Sequence, residues 1–414
     1  MKGSQKLKVL WFTNIEMEEE QLAEGYNGGG WMTALLKKIK HSDVVQLSVS
    51  FISNTPKKDF KSNGVEFLPI NFDDSYIEKA KRVFSLELQI ARHLEAYKSI
   101  IDKCNPDIIH VFGSERPFGL VCEDSKVPVL LHVQGTLLVY QNSFFPPGFS
   151  KVNWLTSDGY NPISVVKKWL YLQGFSKSVD IEKRIYKSIK YVMGRTDWDK
   201  RVAEIYSNST YLHCDELLRD EFYCDNDFVY DKHSEEIKII STISSPPYKG
   251  ADVILKAAKI LVFDMGLKIS WTVFGLTDMN AATKMTGIHS KLVGVSAGGI
   301  VSAAQLKDEL LGTDLYVHPS YIENGCISVS EARALGVPVI ACGVGGITST
   351  IQHKVSGILV PSNEPHIIAS WISDLYTNRV LAKQIGVAGR VHALSRHDPD
   401  VVVKQVIDAY LELS

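Results

Sequence analysis

Two glutamates, Glu323 and Glu331, stand with seven residues between them in a stretch that spans residues 318–347. The pattern predicts that Glu323 lies in a loop after a strand and that Glu331 lies inside the following helix. A carboxylate beside Ala332 and Ala334 is poorly solvated and needs hydroxyl or amide donors, and sugar hydroxyls are such donors. The glutamates therefore indicate a sugar-binding site, although the spacing alone also fits a surface-loop glutamate and a locally capped helix glutamate.

Backbone groups in the same stretch favour a negatively charged ligand. The amides at the predicted helix start face the same crevice, and a helix N-terminus stabilises anions. The turn Gly345-Gly346 after the next strand permits close approach of a ligand to the backbone. We therefore expect ligand contacts at the helix start, from Asn324, Gly325, Cys326 and Ile327.

A lysine closes a proline-rich turn in the second half of the chain. Lys249 follows this turn and precedes a helix that begins near Ala251. A cation beside helix amides suits a diphosphate, and the hydroxyls of Ser244 and Ser245 can substitute for a second cation. The alternative is an exposed lysine with no ligand.

Polar side chains also follow the predicted strands of the first half. Gln134 cannot act as a base, but its amide can hydrogen-bond a sugar hydroxyl. His132 lies on the same strand face, and both His132 and His110 also fit buried core histidines. Arg195 fits either a ligand contact or a salt bridge on the domain surface. The acceptor-side or sugar-contact candidates are His110, Glu115, Gln134 and Arg195.

These residues depend on strands that alternate with amphipathic helices, a pattern that predicts parallel sheets and an α/β architecture. Ligands bind such sheets at the carboxyl ends of the strands, where every candidate above is located. The chain therefore reads as two Rossmann-like domains that face each other across a cleft and are joined once near residue 230. The predicted strands are 8–13, 106–112, 127–133, 189–193, 237–240, 269–275, 315–318 and 339–341.

Composition excludes several other classes of protein. The chain has 414 residues, enough for two or three domains, and its net charge of −2 gives no reason to expect nucleic acid. Its six cysteines form no CxxC pair and read as reduced thiols of a cytoplasmic protein without structural zinc. No apolar run has the length of a signal-peptide core or a membrane span. Asp225-Asn226-Asp227 matches a DxD metal motif, but it lies in the polar linker and reads as chance.

A basic and aromatic stretch at residues 165–171 is followed by further lysines and Arg184. Such a stretch can contact an anionic membrane, which would make the protein peripheral at the inner membrane face. The alternative, which we favour from sequence, is a solvated helix face.

The segments HPSYIEN, SEARALGVPVIA and GVGGI resemble the E-x7-E signature of glycosyltransferase family 4, whose members are retaining enzymes of the GT-B fold. The resemblance extends over most of the chain and is strongest to bacterial enzymes of surface-polysaccharide synthesis. It implies a first domain at 1–223 on the acceptor side, a linker at 224–236 and a nucleotide-sugar-binding domain at 237–397. It further implies that the C-terminal helix, 398–414, packs back on the first domain.

The resemblance also implies roles for individual residues. Glu323 lies by the donor sugar, Glu331 holds the ribose hydroxyls, and Lys249 stabilises the leaving diphosphate. Glycines corresponding to Gly28, Gly29 and Gly30 approach the donor phosphates, although a flexible loop is the alternative at these positions. The backbone near Gly275 contacts the base. The sequence departs from the family at Ser244, where a basic residue is usual, and at Gln134, where a histidine is usual.

The expected activity is transfer of a hexosyl or N-acetylhexosaminyl group, with retention, from a UDP- or GDP-sugar to a hydroxyl of a glycan or lipid-linked glycan. No metal or other cofactor is expected, because lysine and helix amides supply the positive charge. Two alternatives remain: an epimerase of UDP-sugars with the same fold, and a nucleotide-sugar-binding protein without turnover.

Overall fold

The computed structural model describes residues 6–17, 30–53, 55–72, 86–157, 161–225, 228–230 and 234–414. The strands Ile108–Phe112, Val129–His132, Leu315–His318 and Val339–Cys342 are buried at every residue, as expected for sheets covered by helices on both faces. The strands, numbered β1 to β14 in chain order, are Leu7–Thr13, Val45–Ser53, Phe60–Ser62, Val65–Asn71, Ile108–Phe112, Val129–His132, Tyr191–Gly194, Thr210–His213, Glu236–Thr242, Lys268–Phe274, Val295–Gly299, Leu315–His318, Val339–Cys342 and Ile358–Val360.

Amphipathic helices connect these strands and cover the sheets. Among the described residues, no helix is long and apolar enough to cross a bilayer. The α-helices are Gly30–Ile39, Leu86–Cys104, Leu137–Ser143, Lys151–Leu155, Pro162–Ser188, Asp197–Tyr206, Ala251–Lys259, Asn280–Thr286, Ala303–Gly312, Ile327–Ala334, Pro365–Thr377, Arg379–Arg396 and Pro399–Leu413. Short 3-10 segments occur at Pro117–Glu123, Asp220–Phe222, Pro247–Lys249, Ser290–Val293 and Gly345–Ser349, and a π-helical turn at Ile260–Asp264.

The first sheet has the strand order β3-β4-β2-β1-β5-β6-β7-β8 within the described residues. All neighbours are parallel except the edge hairpin of β3 and β4. Because β1 pairs with β2 on one side and β5 on the other, the connections reverse direction between β1 and β5. This reversal opens a crevice at the carboxyl ends of these two strands, where α/β sheets bind ligands.

The second sheet is parallel throughout, with the order β11-β10-β9-β12-β13-β14. Its connections reverse between β9 and β12, so its crevice lies at the ends of these strands. The two sheets form separate cores, one around Trp11 and Phe112 and the other around Trp271 and Val317. Two Rossmann-like domains of the GT-B type thus make up the protein, as the sequence predicted.

The C-terminal helix Pro399–Leu413 returns to the first domain. Its residues Val402, Val406 and Tyr410 are buried in the same core as Trp11. The hydroxyl of Tyr410 accepts a hydrogen bond of 2.8 Å from Nε1 of Trp11. The chain therefore crosses between the domains twice, which ties their relative position to the packing of this helix.

Several elements were missed or misplaced by the sequence analysis. It did not identify β2, β3, β4, β8, β11 or β14, and it placed the strand 189–193 two residues early, because residues up to Ser188 continue the long preceding helix. The helix that was expected to begin near Ala251 is confirmed, and it ends at Lys259 in a π-helical turn. The strands β3, β8, β11 and β14 have only three to five residues and carry little periodicity. β2, in contrast, has nine residues with alternating burial, a pattern that was readable from the sequence.

Candidate active site

A cleft of about 530 Å³ lies between the two domains, at the strand ends where both sheets reverse. The first domain contributes residues that follow β1, β5, β6, β7 and β8, and the second contributes residues that follow β9, β10 and β12. The predicted residues that line it are Gly30, Glu115, Gln134, Arg195, Ser244, Lys249, Gly275, Glu323, Asn324, Gly325, Cys326, Ile327 and Glu331. Tertiary structure therefore brings most of the predicted set to one surface.

Glu323 is the centre of a buried polar cluster just beyond β12. Only 5% of the residue is exposed, and its Oε1 accepts from Nζ of Lys249 at 2.5 Å. His318 Nε2 lies 2.9 Å from the same oxygen, and the hydroxyl of Ser320 donates to it at 3.0 Å. Three donors on one oxygen fix the direction of the carboxylate, which leaves its other edge for a ligand.

Electrostatics keeps this cluster charged. Burial alone would raise the pKa of Glu323, but the Lys249 ammonium and His318 hold it well below its usual range. Burial would lower the pKa of His318, but Cys326 and Glu323 raise it to about 9. Glu323 is therefore an anion at neutral pH, suited to hydrogen-bonding sugar hydroxyls or facing developing positive charge, and unsuited to donating a proton.

His318, Glu323 and Cys326 also form a group whose donor atoms are close enough to hold a metal ion. The Sγ of Cys326 lies 3.3 Å from Nε2 of His318. However, the ammonium of Lys249 already occupies the same carboxylate oxygen, and it would repel a second cation. The donor set therefore fits a metal poorly, and the positive charge at this point of the cleft is that of the lysine.

Glu331 lies one turn inside the helix Ile327–Ala334 and is 1% exposed. Both of its oxygens accept from Arg219, Oε1 from Nε at 2.7 Å and Oε2 from NH2 at 2.8 Å. Burial raises the pKa of Glu331, and the guanidinium opposes that rise. The need of this carboxylate for donors, inferred from the sequence, is thus met by an arginine that the sequence analysis did not identify.

The turn Gly345-Gly346 faces protein rather than open space. A Cβ on Gly345, which has φ +52°, would lie 1.8 Å from the carbonyl oxygen of Glu323. A Cβ on Gly346 would lie 2.2 Å from the carbonyl oxygen of Asn324, and its amide donates to Glu323 O at 3.1 Å. The two glycines thus allow the turn to pack directly on the loop that carries Glu323, a contact within the protein where we expected one with the ligand.

The segment 324–327 forms the start of the second-domain helix and contacts the first domain. Asn324 Nδ2 donates to the carbonyl of Gln134 at 3.2 Å. Cys326 has left-handed backbone angles of φ 52° and ψ 78°, which turns the chain into the helix. A Cβ on Gly325 would lie 2.8 Å from Cδ of Arg195. The helix start is therefore held against the first domain as well as against the cleft.

Only some of the residues predicted to contact phosphate lie in the cleft. Ser244 lines the cleft beside Lys249, whereas Ser245 lies at a second depression of about 300 Å³ with Phe144, Trp154 and Tyr171. Gly275, with φ +89°, passes so close to Ile243 that a Cβ would lie 2.3 Å from its carbonyl oxygen. Gly30 begins a helix at the cleft, and Gly28 and Gly29 lie outside the described residues.

On the first-domain side, Glu115 and Gln134 face the cleft. Asn14 Nδ2 donates to Oε2 of Glu115 at 2.6 Å, and burial raises the pKa of Glu115 to about 7. Trp31 Nε1 donates to Oε1 of Gln134 at 3.0 Å. Nε2 of Gln134 is itself buried and has no acceptor among the described residues. Both residues line the first-domain side of the cleft.

Two first-domain candidates are buried in the protein. Arg195 lines the cleft wall but forms an ion pair with Glu216 and donates to the carbonyl of Val133. His110 is fully buried: its Nδ1 lies 2.6 Å from the hydroxyl of Tyr410, and its ring stacks on His132. The structure does not bring His110 to the cleft, because its side chain points toward the C-terminal helix.

Sequence reasoning missed Asn14, Trp31, Tyr140, Glu216 and Arg219, which also line the cleft. Glu216 and Arg219 follow β8, a strand that the sequence analysis did not identify, so the ligand edge beyond it was not searched. Asn14 directly follows β1, which was identified, and the rule that placed the other candidates would have found it. Trp31 and Tyr140 lie on helices and gave no polar signal.

The basic stretch at 165–171 belongs to the long helix Pro162–Ser188. Trp169 is 37% and Tyr171 is 50% exposed on this helix. The solvated helix face, which the sequence favours, and contact with an anionic membrane both stay predictions.

All six cysteines lie in described residues and are free thiols.

The second domain is similar in sequence to a known protein family. The family model described as "Glycosyl transferases group 1" matches residues 225–392, which covers the sheet and helices that carry Lys249, Glu323 and Glu331. A D-inositol 3-phosphate glycosyltransferase of Streptomyces griseus is 27% identical over 158 residues, 36% of this chain. The match spans about a third of that relative's length, 34%.

Solved structures extend the likeness to both domains. Sucrose-phosphate synthase from Thermosynechococcus elongatus superimposes with a TM-score of 0.74 at 15% identity over 99% of both chains. Anabaena HepE, solved with UDP and glucose, gives a TM-score of 0.61 at 14% identity over 98% of this chain and 100% of that one. The chain thus has the GT-B fold of glycosyltransferases, and over residues 225–392 its sequence is similar to that of the group 1 glycosyltransferases.

Proposed function

We propose that the protein is a retaining glycosyltransferase that moves a hexosyl or N-acetylhexosaminyl group from a UDP- or GDP-sugar to a hydroxyl acceptor. The observation that carries the proposal is the cluster of Glu323, Lys249 and His318 in one interdomain cleft, with Glu331 on its wall. Within such a cleft, one carboxylate can hold the sugar, a second can hold the ribose, and a cation can face the diphosphate.

In the proposed reaction the bond between the anomeric carbon and the donor phosphate oxygen breaks, and the acceptor oxygen attacks the same face. The acceptor proton passes to the departing phosphate oxygen, so no protein base is needed. Lys249 and the amides at the start of the helix Ile327–Ala334 stabilise the negative charge that develops on the phosphate. These groups supply the positive charge without a metal ion.

Glu323 positions the sugar and faces the positive charge that develops at the anomeric carbon. Its lowered pKa keeps it ionised at neutral pH. On the acceptor side, Glu115 and Gln134 line the same cleft. They orient the incoming hydroxyl, and closure of the two domains excludes water that would otherwise hydrolyse the donor.

The acceptor we propose is a glycan or lipid-linked glycan of polysaccharide synthesis, reached from the cytoplasm. The name of the curated relatives, an inositol phosphate glycosyltransferase, supports a hydroxyl acceptor, and the complexes of HepE with UDP and UDP-glucose support a nucleotide-sugar donor. The exposed aromatic residues of the helix Pro162–Ser188 are compatible with peripheral contact at the inner membrane face.

A thermal-shift and hydrolysis screen with UDP, GDP and their common sugar conjugates tests the proposal. A ligand that binds only the folded state stabilises it by RT ln(1 + [L]/Kd), about 2.7 kcal/mol at a hundredfold excess over Kd. We expect one nucleotide to raise the Tm by several degrees and its sugar conjugate to be slowly cleaved. If a nucleotide binds but no conjugate is cleaved or transferred, the protein binds nucleotide sugars without turnover.

The variant Glu323→Gln then tests the assignment of the catalytic carboxylate. We expect kcat to fall about 100-fold, because a neutral amide loses most of the electrostatic stabilisation of the transition state. UDP or GDP binding should be retained, because Lys249 is no longer neutralised by a carboxylate. Glu204→Gln, at an exposed position on another helix, is the matched control and should keep full activity. Full transfer activity in Glu323→Gln would show that Glu323 has another role.

A further inference from the structure

The cleft contains a cation, Arg219, that the sequence analysis did not assign to it. Arg219 follows β8 and lines the same cavity as Ser244, Lys249 and Glu331. Its side chain runs along Gly30, where a Cβ would lie 2.7 Å from its Cδ. The guanidinium therefore stands between the glycine at the start of the first-domain helix and the buried carboxylate of the second domain.

The pairing with Glu331 takes up the part of that carboxylate that a ligand would need. Nε and Nη2 of Arg219 each donate a hydrogen bond to one oxygen of Glu331, in the bidentate geometry typical of a guanidinium and a carboxylate. Only 1% of the Glu331 residue is exposed. Two ribose hydroxyls would approach the same pair of oxygens, so they and the guanidinium compete for one position.

Three ion pairs in the cleft compensate charge while no ligand is present. Lys249 is paired with Glu323, Arg195 with Glu216 and Arg219 with Glu331. A nucleoside diphosphate brings negative charge into this space, and the uncharged side chain of Ser244 supplies no positive charge to balance it. A guanidinium that leaves Glu331 can bind phosphate oxygens with the same fork geometry, while hydroxyl donors replace it on the carboxylate.

The backbone around Arg219 is anchored, so the side chain can move without the segment. Leu218 and Phe222 on either side are fully buried, and the amide of Leu218 donates to the hydroxyl of Tyr223 at 2.9 Å. The guanidinium lies 5.0 Å from the ring of Phe222, and 14% of the side chain is exposed at the cleft. A change of side-chain rotamer would redirect the charge.

We propose that Arg219 exchanges partners when the donor binds: it leaves Glu331 to the ribose hydroxyls and pairs with the donor diphosphate, as the cation absent at Ser244. The inference rests on the proposed function, because it requires a nucleoside diphosphate in this cleft. In the ligand-free protein the ion pair blocks Glu331. A ligand with both a ribose and phosphates hydrogen-bonds Glu331 through its ribose hydroxyls and Arg219 through its phosphates. A nucleoside without phosphates has to displace the arginine and leave it unpaired.

The test compares a nucleoside with its diphosphate by calorimetry, using uridine and UDP or guanosine and GDP, whichever the wild type binds. The measured quantity is the ratio of the nucleoside Kd to the diphosphate Kd. In Arg219→Gln we expect this ratio to fall by about 10- to 100-fold, because the phosphates lose a charge-assisted contact. The nucleoside itself should bind at least as tightly as to the wild type, because Glu331 is open to it.

Two further variants complete the design. Arg201→Gln removes an exposed arginine that pairs with Asp197, and it should leave both dissociation constants unchanged. Arg219→Lys keeps the charge but not the fork, so the ratio should stay within a few-fold of wild type while the nucleoside binds more tightly. Circular dichroism and the melting curve establish that each variant is folded. If Arg219→Gln is not folded, Arg219→Lys carries the test through the nucleoside Kd, and a nucleoside Kd equal to that of the wild type would overturn the inference.

The outcomes separate the inference from the proposed function. A wild type that binds neither nucleoside diphosphate overturns the proposed function and this inference with it. A wild type that binds one of them, with an unchanged ratio in Arg219→Gln, overturns the inference alone. If Arg219→Gln weakens nucleoside and diphosphate binding equally, the ratio is also unchanged. Arg219 would then only support the orientation of Glu331.

Discussion

At the scale of single residues, burial decides what the carboxylates of the cleft can do. Glu323 is surrounded by donors and its pKa lies well below the usual range, whereas the pKa of Glu115 is raised to about 7. Desolvation acts on both, but only Glu323 has a lysine and a histidine against it. Two glutamates in one cleft therefore differ in charge near neutral pH because of their neighbours, a distinction that residue type alone cannot give.

The raised pKa of Glu115 predicts a pH-dependent stability. A carboxyl with a pKa higher in the folded than in the unfolded state makes folding less favourable as the pH rises from about 4.5 to 7. Glu115→Gln mimics the neutral form. We expect it to match the wild type in free energy of unfolding at pH 5 and to exceed it by about 1–3 kcal/mol at pH 8. Urea unfolding at both values of pH measures the difference.

Glu204→Gln at an exposed site is the matched control for this comparison, and its difference from wild type should not change with pH. If the free energy of unfolding of the wild type rises relative to that of Glu115→Gln between pH 5 and pH 8, a partner holds Glu115 ionised. In that case its role toward the acceptor would be that of an anion rather than of a carboxyl group that can exchange a proton.

At the scale of elements, the glycine turn after β13 positions the catalytic loop. Gly345 and Gly346 pack on the carbonyls of Glu323 and Asn324, and the amide of Gly346 donates to Glu323 O. The loop thus rests on a second piece of backbone with no side chain between them. This close packing transmits the position of the 3-10 turn Gly345–Ser349 to the carboxylate of Glu323.

We predict that Gly345→Ala lowers kcat by about 100-fold, because a Cβ 1.8 Å from Glu323 O forces the loop out of place. Steady-state kinetics of the transfer reaction measures this. Gly266→Ala is the control: Gly266 also has positive φ, +68°, but nothing lies within 4 Å of its Cβ position. It should cost about 1–2 kcal/mol of stability from backbone strain and leave kcat unchanged. Equal effects on kcat would show that strain, rather than the displaced loop, is responsible.

At the scale of the whole molecule, the end of the helix Arg379–Arg396 holds the two domains together. Arg396 forms an ion pair of 2.5 Å with Asp215 and donates to the carbonyl of Arg195, both in the first domain. It also donates to the carbonyl of Ser349 in the second domain at 3.1 Å. The following helix, Pro399–Leu413, is buried in the first core. One arginine thus joins both domains at the point where the chain crosses back.

This arrangement predicts that the wild type unfolds in one calorimetric transition and that Arg396→Gln uncouples the domains. In the variant we expect the Tm to fall by about 2–4 °C and the ratio of calorimetric to van't Hoff enthalpy to rise above one. Arg184→Gln, which removes an ion pair within the first domain, should keep the wild-type ratio. Two separate transitions in the wild type would contradict the proposed coupling.

The sequence by itself determined most of the strands that end at the cleft and several of the residues that follow them. β1, β5, β9 and β12 are apolar runs bounded by turn residues, so their pattern is local and readable. Because parallel strands present their carboxyl ends at one edge, Glu115, Ser244 and Glu323 could be placed at a common site without a structure. The same pattern gave the two-domain architecture and the loop and helix positions of Glu323 and Glu331.

Only the tertiary structure decided which partners these residues meet. Lys249 and Glu323 are 74 positions apart and Arg219 and Glu331 are 112 apart, so neither pair leaves a trace in local sequence. His110 lies at a strand like the others, but the C-terminal helix covers it with Tyr410, some 300 positions away. The turn Gly345-Gly346 was expected to contact a ligand, but it packs against the loop that carries Glu323. Charge, exposure and mobility of the site follow from such distant contacts, because they depend on packing between elements rather than on the pattern within one.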